Sequence, residues 1–108
     1  MIRGDLVIVG TRGTYTSKPR PVLIVQSDLF NDTHGSITVC PVTSDVIDAP
    51  WFRVSVPPGT RTGLRSTSQV MVDKVVSVPR SAIGKRIGGC DSAELQLVDD
   101  ALRRWLAL

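Results

Sequence analysis

The feature that most constrains the fold is the regular punctuation of short β-prone runs by turn signals. Leu6-Val7-Ile8-Val9 is closed by Gly10, and the run at residues 22–26 is entered through Pro19-Arg20-Pro21. The run at 37–42 follows the turn cluster Asn31-Asp32-Thr33-His34-Gly35. Within 51–56, Phe52, Val54 and Val56 alternate with Arg53 and Ser55, and Pro57-Pro58-Gly59 stops the run. Runs at 68–72 and 75–78 follow, the second ended by Pro79. Six short strands at this spacing predict a small antiparallel barrel or sandwich. A parallel sheet would need helical crossovers, and no linker here has that period.

The tail differs in kind. Asp91-Ser92-Ala93-Glu94 has the form of a capping box after Gly88-Gly89. Leu95, Val98, Leu102, Trp105 and Leu106 then recur at three and four, which predicts a C-terminal helix packing that stripe on the barrel. Asp99, Asp100, Arg103 and Arg104 fall mostly on the opposite face. With 108 residues, no repeat and no linker, residues 1–108 read as a single mainly β domain. The hydrophobic fraction of 42% against 21% charged residues argues against disorder. The segments expected to be most mobile are 11–18, 44–50 and 59–67.

Localisation follows from what the chain lacks. Its longest apolar run, Val22-Leu23-Ile24-Val25, is far short of the ~20 residues of a membrane span. Met1-Ile2-Arg3-Gly4-Asp5 contains no signal-peptide core, so the expected compartment is the cytoplasm. Cys40 and Cys90 form neither a disulfide framework nor a metal-ligand spacing.

The net charge of +3 hides a regional contrast. Residues 49–90 carry Arg53, Arg61, Arg65, Lys74, Arg80, Lys85 and Arg86 against Asp73 alone, a local net of +6. Residues 91–108 have a net of −2. The basic region reads either as a footprint for a polyanion or as a solvated surface.

Most nucleophilic devices are excluded. The only histidine, His34, sits in a polar turn and has no orienting third group, so it reads as a solvated turn residue. Cys40 in a β run reads as a small buried hydrophobe. Gly84-Lys85-Arg86-Ile87-Gly88-Gly89 is not spaced as a phosphate loop, and carboxylates do not cluster as metal ligands. Two local features stand out. Thr16-Ser17-Lys18-Pro19-Arg20-Pro21 brackets one arginine with prolines at a strand entrance, which fixes the direction of its guanidinium. Pro41-Val42-Thr43-Ser44 places hydroxyls where the third strand ends. Taken singly, each is also an ordinary strand-end turn.

These segments occur together in a characteristic order. Arg3-Gly4-Asp5 precedes the first strand; Lys18-Pro19-Arg20-Pro21-Val22-Leu23-Ile24-Val25-Gln26-Ser27-Asp28 and Ile37-Thr38-Val39-Cys40-Pro41-Val42-Thr43-Ser44 follow. Then come Val70-Met71-Val72-Asp73-Lys74, Ile87-Gly88, Ala93-Glu94-Leu95 and Val98-Asp99-Asp100-Ala101-Leu102. From about Arg3 to Leu106 the chain resembles the MazF/PemK family of toxin endoribonucleases, to which the Kid toxin belongs. The resemblance implies an SH3-like antiparallel β-barrel with a C-terminal helix, a homodimer, and RNA lying across a groove near the dimer interface. It implies Arg20 and Thr43 as the catalytic pair. It implies substrate contact by Asp73, Lys74 and the segment before the arginine, here ending in Ser17 and Lys18. Arg53 and Arg65 of the basic region are expected to join them, with Lys85 and Arg86 adding to salt-sensitive RNA binding.

The chain also departs from the family. It has Gly13-Thr14-Tyr15-Thr16-Ser17-Lys18 where many members have a longer loop with a G-x-E-Q run. Met71 stands where some members carry an arginine two residues before the acid, so acid catalysis would fall to another group or to Arg20. Asp5 takes the place of a common acidic residue and reads as a turn anchor.

The implied chemistry suits these residues. RNA carries its own nucleophile, the 2′-hydroxyl, so the enzyme need only hold the phosphate in line, stabilise its charge and manage two protons. A fixed guanidinium offers bidentate hydrogen bonds to phosphate, and a threonine can donate another. The general base is left open, Asp73 being a more ordinary base than an arginine. No metal or cofactor is called for. The expected activity is sequence-preferring cleavage of single-stranded messenger RNA that arrests growth. The expected partner is a cognate antitoxin whose disordered acidic tail folds along the groove. The alternatives are a gyrase-directed toxin like CcdB, with its determinant on the C-terminal helix, and a catalytically silent nucleic-acid-binding barrel.

Overall fold

A computed structural model describes residues 1–10 and 19–108. Its strands are β1 (Asp5–Val9), β2 (Arg20–Ile24), β3 (Ser36–Thr43), β4 (Arg53–Val56), β5 (Ser68–Met71), β6 (Val76–Pro79) and β7 (Ile83–Gly89). A single-turn helix α1 (Asp28–Asn31) follows β2, and α2 (Ser92–Leu106) follows β7. All pairings are antiparallel, in the order β4-β5-β3-β2-β1-β7, with β6 also on β3. The expected mainly β fold with a C-terminal helix is therefore the observed one.

β3 joins two halves of the sheet because it changes the face it buries. Ile37 and Val39 in its first half join Val7, Val9, Val22 and Ile24 in one apolar cluster. Cys40 and Val42 in its second half point to the other side, into a larger cluster with Leu6, Leu23, Val54, Val56, Val70 and Val72. β1 and β2 feed both clusters by simple alternation, which is why they read as unbroken apolar runs. α2 closes the larger cluster with Val98 and Ala101. Asp91 caps α2 as expected: its carboxylate accepts from the Glu94 N–H at 2.8 Å, and Glu94 accepts from the Asp91 N–H at 2.8 Å.

Several expectations need correction. Among the described residues there are seven strands, not six: β7 has no apolar alternation and three glycines, so its sequence gives no strand signal. At one of them, Gly88, another segment lies against the strand. A Cβ on Gly88 would lie 2.3 Å from the Thr62 carbonyl group. The run at 68–72 ends earlier than expected, with Val72–Lys74 in a short 3₁₀ turn. β4 starts at Arg53, so Trp51 and Phe52 precede it. Trp105 does not sit in the core. It is 48% exposed and packs its ring against Phe52, centroids 5.6 Å apart. Asp5 is the anchor expected of it, accepting from the Ile2 N–H and from Arg86 Nε, each at 2.9 Å. Cys40 is fully buried and His34 is exposed, as read.

Candidate active site

The β2–β3 register builds the site. Val22 lies opposite Pro41 and Leu23 opposite Cys40. The paired ladder ends at Val22 and Pro41; Arg20, at the start of β2, and Thr43, at the end of β3, lie two residues beyond it. There the two strands border a cleft of about 270 Å³. Arg20, Thr43, Ser44, Asp45, Arg65 and Ser66 line it, over Val42 and Leu64.

The polar groups around this cleft are partly committed. Thr43 Oγ1 accepts from the Asp45 N–H at 3.0 Å. That contact occupies a lone pair and leaves the hydroxyl proton to be donated elsewhere. Pro19 and Pro21 flank Arg20, and β1 pairs it with Val9 across the strand. Among the described residues, neither Arg20 nor Arg65 forms an ion pair. Two uncompensated guanidiniums on one concave surface make an anion site of the kind a phosphodiester fits.

The other cations are mostly spoken for. Arg53 makes a bidentate pair with Asp73, Nε to Oδ1 at 2.9 Å and Nη2 to Oδ2 at 3.3 Å, with both side chains largely buried. Arg86 is held by Asp5, and Arg80 donates to the His34 carbonyl at 2.9 Å. Of the expected substrate contacts, the structure brings Arg65 to Arg20 and Thr43. It does not bring Arg53, Asp73 or Lys74 there. Arg53 instead lines cavities beside the 44–50 segment and α2, and its partner Asp73 lies in the 3₁₀ turn beyond β5. Ser17 and Lys18 lie outside the described residues. The carboxylate lining the cleft is Asp45, which sequence reasoning missed because a Ser-Asp pair after a strand looks like any polar turn.

Two segments beside the cleft are fastened by side chains. Gln69 pairs with Thr43 across the β3–β5 ladder. Its amide donates to the Ile47 carbonyl at 2.8 Å and accepts from the Ile47 N–H at 3.1 Å, fixing the turn that follows Thr43. On the other side, Leu64 is buried in the larger apolar cluster. Both cysteine thiols are pushed up to about 12, chiefly by burial, which takes them out of nucleophilic chemistry. Among the described residues, no three His, Cys, Asp or Glu side chains are grouped as metal ligands.

Known proteins resemble this chain in sequence and fold. The model of the PemK-like, MazF-like toxins of type II toxin–antitoxin systems matches residues 2–106. The chain is 44% identical over 108 residues to a "Probable endoribonuclease MazF" of Mycolicibacterium smegmatis, covering all of this chain and 98% of that protein. It is 32% identical over 116 residues to endoribonuclease MazF9 of Mycobacterium tuberculosis, covering all of this chain and 98% of the relative. Among solved structures, a mycobacterial endoribonuclease in complex with its cognate antitoxin superposes with a TM-score of 0.83 at 21% identity, over all of this chain and 96% of that one. On the family match over residues 2–106 and these relatives, the chain belongs to the PemK-like, MazF-like toxins of type II toxin–antitoxin systems and is an endoribonuclease of that family.

Proposed function

We propose that the Arg20–Thr43 cleft cleaves single-stranded RNA by in-line attack of the 2′-hydroxyl on the adjacent phosphorus. The observation that carries this reading is that Arg20 and Thr43 line one cleft with a second guanidinium, Arg65, and that among the described residues neither arginine forms an ion pair. Arg20 stabilises the charge that builds on the phosphoryl oxygens, and Thr43 donates a further hydrogen bond. Asp45, the carboxylate of the cleft, takes the 2′-hydroxyl proton. Arg65 holds a neighbouring phosphate. The bidentate Arg53–Asp73 pair braces β4 against the turn after β5 and does not touch substrate. The O2′–P bond forms as the P–O5′ bond breaks, the departing 5′-oxygen takes a proton from solvent water, and the products are a 2′,3′-cyclic phosphate and a 5′-hydroxyl. The substrate in the cell is messenger RNA in the cytoplasm, and the outcome is arrested growth. An antitoxin neutralises the enzyme by covering the cleft with an acidic segment. The working form is a homodimer, because Trp51, Leu97, Trp105 and Leu106 are all exposed and apolar.

The test is incubation of the pure protein with RNA in excess chelator. Discrete fragments with 5′-hydroxyl ends are expected. One deoxyribose placed before the cut should abolish cleavage while only modestly weakening binding, since the phosphate contacts remain. Cleavage of that substituted RNA at the same bond, or loss of activity in chelator, would overturn the scheme. Intact RNA with poisoned gyrase would favour the gyrase-directed reading instead.

A further inference from the structure

We infer that Arg61 is a positioning residue for this site: through Glu94 it fixes the 59–67 segment so that Arg65 stands at the cleft. The inference rests on the reading of the Arg20–Thr43 cleft as the RNA-cleaving site. The segment contains no strand or helix, yet it is fastened along its length. Arg61 Nη1 and Nη2 donate to the two carboxylate oxygens of Glu94 at 2.7 and 3.0 Å. Nη1 also donates to the Gly89 carbonyl at 3.1 Å, and the Arg61 carbonyl accepts from the Gly89 N–H at 2.9 Å. Thr62, 1% exposed, donates to the Pro57 carbonyl at 2.7 Å and accepts from the Leu64 N–H at 3.3 Å.

The backbone leaves no slack for an alternative seating. Gly63 has φ +72°, and a Cβ there would lie 2.1 Å from the Ile87 carbonyl oxygen. From the other side, Gly88 admits the Thr62 backbone. The segment is thus pressed flat on β7, and Leu64 enters the core directly before Arg65. Arg61 itself does not line the cleft, so its guanidinium acts on substrate only through what it holds in place. Its anchor is fixed in turn, because the Glu94 carboxylate accepts from the Asp91 N–H in the capping box of α2. A guanidinium presented on an ordered segment loses less entropy on binding a phosphate than one on a loose segment. Lysine cannot replace Arg61 here, since an ammonium cannot span both carboxylate oxygens and a carbonyl in the same plane.

The test is a double-mutant cycle on an oligonucleotide spanning a mapped cut site, with kcat and KM measured separately. Arg61→Gln and Arg65→Gln should each raise KM about tenfold with little change in kcat, and the double variant should be no worse than either single one. Losses that multiply in the double variant would overturn the inference. If Arg61→Gln fails to fold, Glu94→Gln, which retains a capping-box residue, takes its place in the same cycle. Arg61→Lys should recover little of the KM loss, and full recovery would count against the bidentate clamp. An Arg20→Ala variant distinguishes the two levels. If it is inactive while the cycle is additive, only the clamp fails; if it cuts at the parental rate, the site and the clamp fail together.

Discussion

At the scale of single residues, the proposed chemistry rests on Arg20, Thr43 and Asp45, which line one cleft. Thr43 receives the Asp45 N–H and keeps its proton for the cleft. Arg20→Ala and Thr43→Ala should each lose at least tenfold in RNA cleavage, since one lost transition-state donor costs ~2.7–4 kcal/mol of barrier. Both variants should unfold at the parental urea concentration, because Arg20 is exposed and Thr43 only half-buried. Asp45→Asn should lower kcat by ~10²–10⁴ if it is the general base, measured as initial rates of new 5′-hydroxyl ends. The cysteines give a different prediction. Burial raises both thiols from an ordinary 9.0 to about 12, so the unfolded chain loses these protons first. Their contribution to stability is intact below pH 9 and is lost between 9 and about 12. Thiol labelling at pH 8 should accordingly be slow in buffer and fast in denaturing urea. What the sequence could not reveal at this scale was pairing. Arg53 and Asp73 both look like substrate contacts along the chain, and only the fold shows that each neutralises the other.

At the scale of elements, legibility followed the strength of the local pattern. β1 and β2 were readable because both of their faces are buried, and α2 because its cap and its stripe coincide. The meeting of Arg20 and Thr43 at one cleft was implicit in motif segments at the start of β2 and the end of its neighbour β3. β7 was not readable, because its residues are chosen by what presses on them and not by strand propensity. The same contacts make it sensitive. Gly88→Ala should destabilise the protein by ~1–3 kcal/mol or more, since the new methyl meets backbone that cannot swing aside. Asp91→Ala should cost about 1 kcal/mol through the lost cap. Urea unfolding measures both. A Gly88→Ala variant as stable as the parent would mean that the 59–67 segment does not lie flat on β7.

At the scale of the whole molecule, Trp51, Leu97, Trp105 and Leu106 leave exposed apolar surface on and around α2. Trp51 is 70% exposed, Trp105 48% and Leu106 49%. Light scattering at micromolar concentration should give the mass of a dimer, and Trp105→Glu should shift it toward the monomer. A parental monomer would remove the reason for that surface. The class of fold was legible in the sequence, but the place of Trp105 was not. A stripe at helical spacing does not say where the covering sheet stops.

The order of the strands has a consequence for the making of the protein. β1 is among the earliest segments synthesised, yet one of its two neighbours is β7, and the carboxylate that anchors the cleft wall belongs to α2. Both emerge from the ribosome after β1 to β6. Until then the 59–67 segment has neither the strand it lies on nor the acid that holds it. Residues 59–67, although translated in the middle of the chain, therefore take their place beside the cleft only once β7 and α2 are present.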